Sequence, residues 1–146
     1  MKFRNIFAAL LLVLAVSCST MNKTGVIKVE TPARPAGQEN VLGLTVPAMD
    51  TVRVAFVGIG MRGSDAVERY TYVPGVKITA LCDVEADRVE KAQKTLEDRG
   101  FPKAAEYSGS TEAYKGLCDR DDIDLVYICT DWKHHVPIAL YAMEHG

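Results

Sequence analysis

Residues 52–63 read VRVAFVGIGMRG, an apolar, β-branched run that breaks into glycines at 58, 60 and 63. Such a run predicts a strand over 52–57, and the glycines predict a tight turn into a helix over 62–70. Each glycine has its own task in a dinucleotide-binding opening. Gly58 permits the turn out of the strand, Gly60 lets the backbone approach a pyrophosphate, and Gly63 lets the helix pack closely on the sheet. The amides of the helix N-terminus then face the anion. Twenty residues after Gly63, the next apolar segment ends in Leu81, Cys82 and Asp83. A carboxylate at that position accepts hydrogen bonds from the ribose hydroxyls of the adenosine half and repels the extra phosphate of NADP. The cofactor expected from these residues is NAD. Asp83 also has the role of N-cap to the following helix open to it, and the two roles are compatible. Arg62 lies over the phosphates or the adenine, or stands as an exposed arginine at a helix start.

Outward from this stretch the pattern is regular: strand 76–82, helix 84–99, a loop with a short helix near 110–117, strand 124–129 and helix 136–145. Apolar strands alternating with amphipathic helices predict a parallel sheet covered on both faces, the Rossmann-type doubly wound α/β fold. Ile123, Leu125, Val126, Tyr127 and Ile128 form a nearly continuous apolar run, as a doubly buried strand requires. Helix 84–99, dense in Glu, Asp, Lys and Arg, presents a solvated face. After the strand 124–129 come Thr130, Asp131, Trp132, Lys133, His134 and His135, with Val136 and Pro137 opening the last helix. Ligands of a doubly wound sheet bind at the carboxyl ends of its strands, so this loop should face the cofactor together with the glycine turn. The plainer alternative makes Trp132 a packing residue, His134 exposed and His135 a hydrogen-bonding residue at the helix start. A complete dinucleotide fold has two βαβαβ halves, and residues 51–146 supply the first and the beginning of the second. The chain therefore reads as the N-terminal part of a longer enzyme or as a truncated product, without a C-terminal substrate domain and with its last strand short of a neighbour.

The other end carries a different signal. Met1, Lys2 and Arg4 precede an apolar core over Ile6–Val16, and Ala15, Val16 and Ser17 lead into Cys18. This is the pattern of a signal peptide over 1–17, too short to span a membrane stably. Small residues immediately before Cys18, followed by Ser19 and Thr20, resemble a bacterial lipoprotein processing site. Cys18 would then be the lipidated first residue, and the alternative is ordinary secretion. Residues 18–50, with prolines at 32, 35 and 47, read as a flexible tether, although the alternation Val26, Lys28, Glu30 suits a short edge strand. The expected location is the bacterial cell envelope, with the domain attached to a membrane through its lipid. Of four cysteines, Cys82, Cys118 and Cys129 lack metal-ligand or redox-pair spacing and read as small buried hydrophobes, so no metal is expected. A net charge of −2 with dispersed cations offers no field for nucleic acid.

VRVAFVGIGMRG, the strand ending LCD, and CTDWKHHVPIALYAMEHG together resemble the glucose-fructose oxidoreductase and inositol dehydrogenase superfamily, and most fully glycoside hydrolase family 109. The resemblance extends over nearly all of Thr51 to Gly146. Superfamily members commonly carry Thr-Pro-Asn and then His after this strand. Here Asp131 and Trp132 replace Pro and Asn, as in the hydrolase branch. The resemblance implies NAD contacts at Met61 and Arg62, at Asp83, and over Trp132, Lys133, His134 and His135. It implies an NAD-dependent α-N-acetylgalactosaminidase: a hydride leaves C3 of the sugar for NAD, the C2 proton is removed, the group at C1 is eliminated, water adds, and the hydride returns with retention of configuration. It places the substrate-binding and catalytic residues, a tyrosine base among them, beyond residue 146. A cycle that regenerates its own cofactor suits an exported enzyme, which has no cytosolic pool to reoxidise NADH. The alternatives are an NAD-dependent sugar or polyol dehydrogenase of the same superfamily and a non-catalytic dinucleotide-binding fragment.

Overall fold

A computed structural model describes residues 33, 35–38 and 41–145. The signal peptide, Cys18 and the alternation Val26–Glu30 lie outside them. Residues 33, 35–38 and 41–45 are exposed and form turns only, and Val46–Asp50 are likewise exposed without strand or helix.

From there the elements alternate: β1 (Val52–Val57), α1 (Met61–Tyr70), β2 (Val76–Cys82), α2 (Ala86–Asp98), β3 (Ala105–Tyr107), α3 (Tyr114–Cys118), β4 (Leu125–Ile128) and α4 (Trp132–Glu144). All pairings are parallel and the strand order is β3-β2-β1-β4. This is the order expected of the first half of a doubly wound sheet.

Alternate residues of β1 point to opposite faces, so each face acquires its own core. Val54 and Phe56 meet Ala66 and Val67 of α1 and Val89, Ala92 and Leu96 of α2. Ala55 and Val57 meet Leu117 of α3 and Ile138 of α4. In β2 the alternation is broken: Val54 pairs with Ile78 but Ala55 pairs with Ala80, leaving Thr79 as the extra residue of a bulge. The bulge returns Ile78 and Leu81 to one face and Ala80 and Cys82 to the other. Thr79 is buried there, and its hydroxyl donates to the Val54 carbonyl at 3.4 Å. Phe56, Tyr70 and Tyr127 pack as an aromatic trio on the first face, with ring centroids 5.2–5.5 Å apart.

Three expectations are corrected. Residues 105–107, read as loop, form β3. The segment Ala-Glu-Tyr has no apolar run, and its strand character comes from pairing with Ala80–Cys82 after the buried Gln93 side chain accepts the Ala104 amide at 3.1 Å. Helix α2 begins at Ala86 with Glu85 as its N-cap residue, so Asp83 is not the cap. Helix α4 begins at Trp132 instead of Val136, because Asp131 caps it. Trp132 to His135 are therefore its first turn, and Pro137 sits in its second, where the ring removes one internal hydrogen bond.

Candidate dinucleotide site

The three glycines of the β1–α1 turn sit in three different settings. Gly58 has φ +85°, and a Cβ on it would stand 2.7 Å from the Cys129 carbonyl carbon and 2.8 Å from the Thr130 nitrogen. The turn is thus pressed against the segment leaving β4. A Cβ on Gly63 would collide with the Gly58 carbonyl oxygen, so α1 approaches the turn only without a side chain at that point. Gly60 differs. Its φ of −71° and ψ of −156° suit any residue, and its Cβ would meet only the Arg88 guanidinium, at 3.7 Å. No packing within the protein demands glycine here, and the missing side chain keeps open a space beside the N-terminus of α1. That terminus has no side-chain cap, so its first amides are directed at whatever enters the space.

Asp83 closes the turn from the β2 side. It is only 5 % exposed. One carboxylate oxygen accepts the Ile59 amide at 2.6 Å, and the other accepts the Glu85 amide at 3.0 Å and Arg88 Nη1 at 3.3 Å. The same carboxylate therefore ties the glycine turn to the end of β2 and holds the residue that starts α2. Asp83 also lines the cleft.

On the far side, Asp131 accepts the His134 amide at 3.1 Å, and the same oxygen lies 2.7 Å from Nδ1 of the His134 ring. The imidazole beside it holds the Asp131 carboxyl below its ordinary range.

These groups meet in one cleft of about 320 Å³, within the range of small-molecule sites, lined by Gly58, Gly60, Asp83, Thr130 and His134 among the residues expected from sequence. Met61, Arg62, Lys133 and His135 are exposed beside it, as is Trp132 at 92 %, so Trp132 is no packing residue. Gly63 is buried behind the turn. His134, half-buried, contradicts the exposed alternative, and it is His134 rather than His135 that bonds the cap. Arg88, Ser110, Thr111, Tyr114 and Asp131 also line the cleft. Arg88 went unread because it looks like one more charge on a solvated helix. Its position five residues after Asp83, within the first turn of α2, was the available signal. Ser110, Thr111 and Tyr114 belong to the segment whose path depends on β3.

Burial pushes the Cys82 thiol, which also lines the cleft, up to about 12, so it stays a protonated small side chain. Among the described residues no group of three or more His, Cys, Asp and Glu is placed to hold a metal ion. Backbone amides at a helix start, a buried carboxylate at the end of β2 and one cation fit a dinucleotide.

Residues 52–146 match the sequence model of the oxidoreductase family with an NAD-binding Rossmann fold. The chain belongs to that family. Its cofactor is NAD. Among curated relatives of this family member, Glycosyl hydrolase family 109 protein 1 of Bacteroides thetaiotaomicron is 61 % identical over 127 residues, covering 87 % of this chain and 27 % of that protein. A Glycosyl hydrolase family 109 protein of Porphyromonas gingivalis is 58 % identical over 120 residues, 82 % of this chain and 26 % of its own length. The chain thus spans about a quarter of the length of these relatives. A solved myo-inositol dehydrogenase from Lactobacillus casei, in complex with NAD(H) and myo-inositol, shares the fold with a TM-score of 0.54 at 24 % identity, over 64 % of this chain and 26 % of that one.

Proposed function

We propose that this chain is the NAD-binding part of an exported NAD-dependent glycosidase acting on terminal α-linked N-acetylgalactosamine. The observation that carries the reading is the single cleft in which the glycine turn, the end of β2 and the start of α4 converge. The 61 % identity to a glycosyl hydrolase family 109 protein supports the choice of reaction. Asp83 receives the adenosine ribose. The turn from Gly58 to Gly63, with Met61 and Arg62, receives the pyrophosphate. Thr130, Trp132, Lys133, His134 and His135 flank the remainder. NAD supplies a reversible hydride sink, which acidifies the neighbouring C–H bond of the sugar and leaves no net oxidation. The chain's own residues bind and orient it. Cys18, in this reading, carries the lipid that holds the domain in the cell envelope.

A longer protein carrying this domain is expected to release the aryl group of an aryl α-N-acetylgalactosaminide without accumulating NADH. Net NADH formation on sugars or polyols would replace the glycosidase with a dehydrogenase. Residues 18–146 alone, loaded with NAD, are expected to release no aryl product above background, since positioning of the sugar and its base supplies much of an enzyme's rate. Clear turnover would move the chemistry to Trp132, His134, His135 and Tyr107. For the anchor, Cys18→Ser is expected to shift the protein from the membrane to the soluble envelope fraction, and unchanged fractionation would remove Cys18 from that role.

A further inference from the structure

Asp83, which receives the adenosine ribose in the reading above, does not stand alone. Arg88 reaches back from the first turn of α2 and places Nη1 3.3 Å from its Oδ1. A bare carboxylate here would repel a phosphate carried on the ribose, whereas a carboxylate paired with a guanidinium presents little net charge. The Arg88 side chain is half-exposed, and this is the only hydrogen bond of its guanidinium among the described residues, so most of its donors remain available. Space for a phosphate lies next to it. Gly60 and Arg88 line both the cleft and a second cavity of about 270 Å³ between the glycine turn and α2. A Cβ on Gly60 would lie 3.7 Å from Arg88 Nη1, so the guanidinium spans from the turn to the ribose acceptor. The charged residues lining the second cavity are the cations Arg88 and Lys91, and Lys91 is already paired with Asp87 at 2.9 Å.

We infer that Arg88 sets how strongly this site discriminates between NAD and NADP: when the ribose carries a 2′-phosphate, the guanidinium binds it from the adjoining cavity, and NADP is a second, weaker ligand instead of an excluded one. The inference rests on the placement of the ribose at Asp83 proposed above. A group attached to a ribose oxygen held by Asp83 lies within reach of a guanidinium that touches the same carboxylate. The planar fork of arginine suits the task, since it can hold two phosphate oxygens at once. NAD stays preferred, because only NADP brings a second anion that must share the guanidinium with Asp83. Asp83 thus supplies the preference and Arg88 limits its size.

The test is calorimetric titration of the full chain with NAD and, separately, with NADP, at low and at high salt. Both are expected to bind, NAD more tightly, with NADP affinity falling faster as salt rises. Arg88→Gln should widen the ratio of the two dissociation constants by roughly tenfold and abolish the excess salt sensitivity of NADP. Arg88→Lys, which keeps the charge without the fork, should recover part of the lost ratio. In both variants Asp83 keeps the Ile59 and Glu85 amides, so the turn retains its tie to β2. A ratio that stays the same or narrows in Arg88→Gln would overturn the inference and leave Arg88 a structural partner of Asp83. NAD binding without detectable NADP binding to the unaltered chain would overturn it as well. If Arg88→Gln does not fold, the salt series on the unaltered chain decides, and NADP affinity that falls no faster than NAD affinity is the adverse result. If the unaltered chain binds neither dinucleotide, the cofactor placement fails first and this inference with it.

Discussion

The two walls of the cleft are built in opposite ways. At the end of β2, Asp83 is buried and every one of its contacts joins it to another element or loop: the Ile59 amide, the Glu85 amide and Arg88. At the end of β4, Asp131 is exposed, and among the described residues its carboxylate bonds only within the first turn of its own helix. β1 and β2 have partners on both sides, whereas β4 is an edge strand among the described residues and is half-buried, with Leu125 exposed. One wall is fixed by the core, and the other is fixed by its own helix start. Substitutions on the first should cost stability as well as cofactor, and those on the second should cost cofactor alone.

The sharpest test lies among the glycines. Gly63→Ala drives a methyl group into the Gly58 carbonyl and should destabilise the domain by about 3 kcal/mol in urea unfolding, or prevent folding. Gly60→Ala puts the same methyl in ordinary contact with the Arg88 guanidinium alone, at 3.7 Å. It should change stability by less than about 1 kcal/mol while weakening NAD by roughly tenfold, as titration of cofactor fluorescence or calorimetric heat will show. Equal stability losses at both positions would break the assignment of Gly60 to the ligand.

Next in size is Asp83→Ala, which strands the buried Ile59 amide and should cost about 1–3 kcal/mol. It should also narrow the preference for NAD over NADP. A preference already absent in the unaltered protein would remove Asp83 from the ribose.

A third prediction concerns the other end of the sheet. Arg53 holds Asp124 in a two-pronged pair, with Nε at 3.0 Å and Nη2 at 2.7 Å, and the Asp124 carboxyl is held down to about 2. A carboxyl lowered in the folded state binds protons more readily when unfolded. Its contribution is therefore complete above its ordinary value and disappears as pH falls toward about 2. Thermal melts of the unaltered protein should lose more stability across this acid window than melts of Asp124→Asn, and parallel curves would show the pair to be inert.

The smallest effect on folding is expected at Trp132. With 92 % of it exposed, Trp132→Ala should move stability by less than about 0.5 kcal/mol. NAD affinity should nevertheless fall several-fold. A stability loss comparable to that of Asp83→Ala would put the two walls on the same footing and undo the comparison.

Most of the scaffold was legible in the chain because the signals were local. The bounds of β1 and β2 follow from apolar runs ended by glycine or by aspartate, and the parallel order follows from strands separated by helices. Gly58 and Gly63 leave no room for a side chain, for reasons that any strand-turn-helix of this spacing shares. What escaped was set by partners distant in sequence or by competing caps. β3 has too little apolar character to announce itself. Asp83 looked like a helix cap because strand-end aspartates often are, yet Glu85 takes that place. Pro137 looked like a first-turn residue, but the capping side chain of Asp131 starts α4 earlier.

The sequence by itself determined the fold class, the dinucleotide turn and the choice of NAD, because each rests on periodicity, on backbone freedom at particular glycines, or on one carboxylate at a fixed spacing. Only the tertiary structure decided which wall of the cleft is rigid. Burial of Asp83 against the Ile59 amide, the bulge at Thr79 that restores the facing of β2, and the meeting of Asp131 with His134 depend on distances between side chains that periodicity does not encode. Those distances separate groups that hold the turn together from groups that stand free beside it.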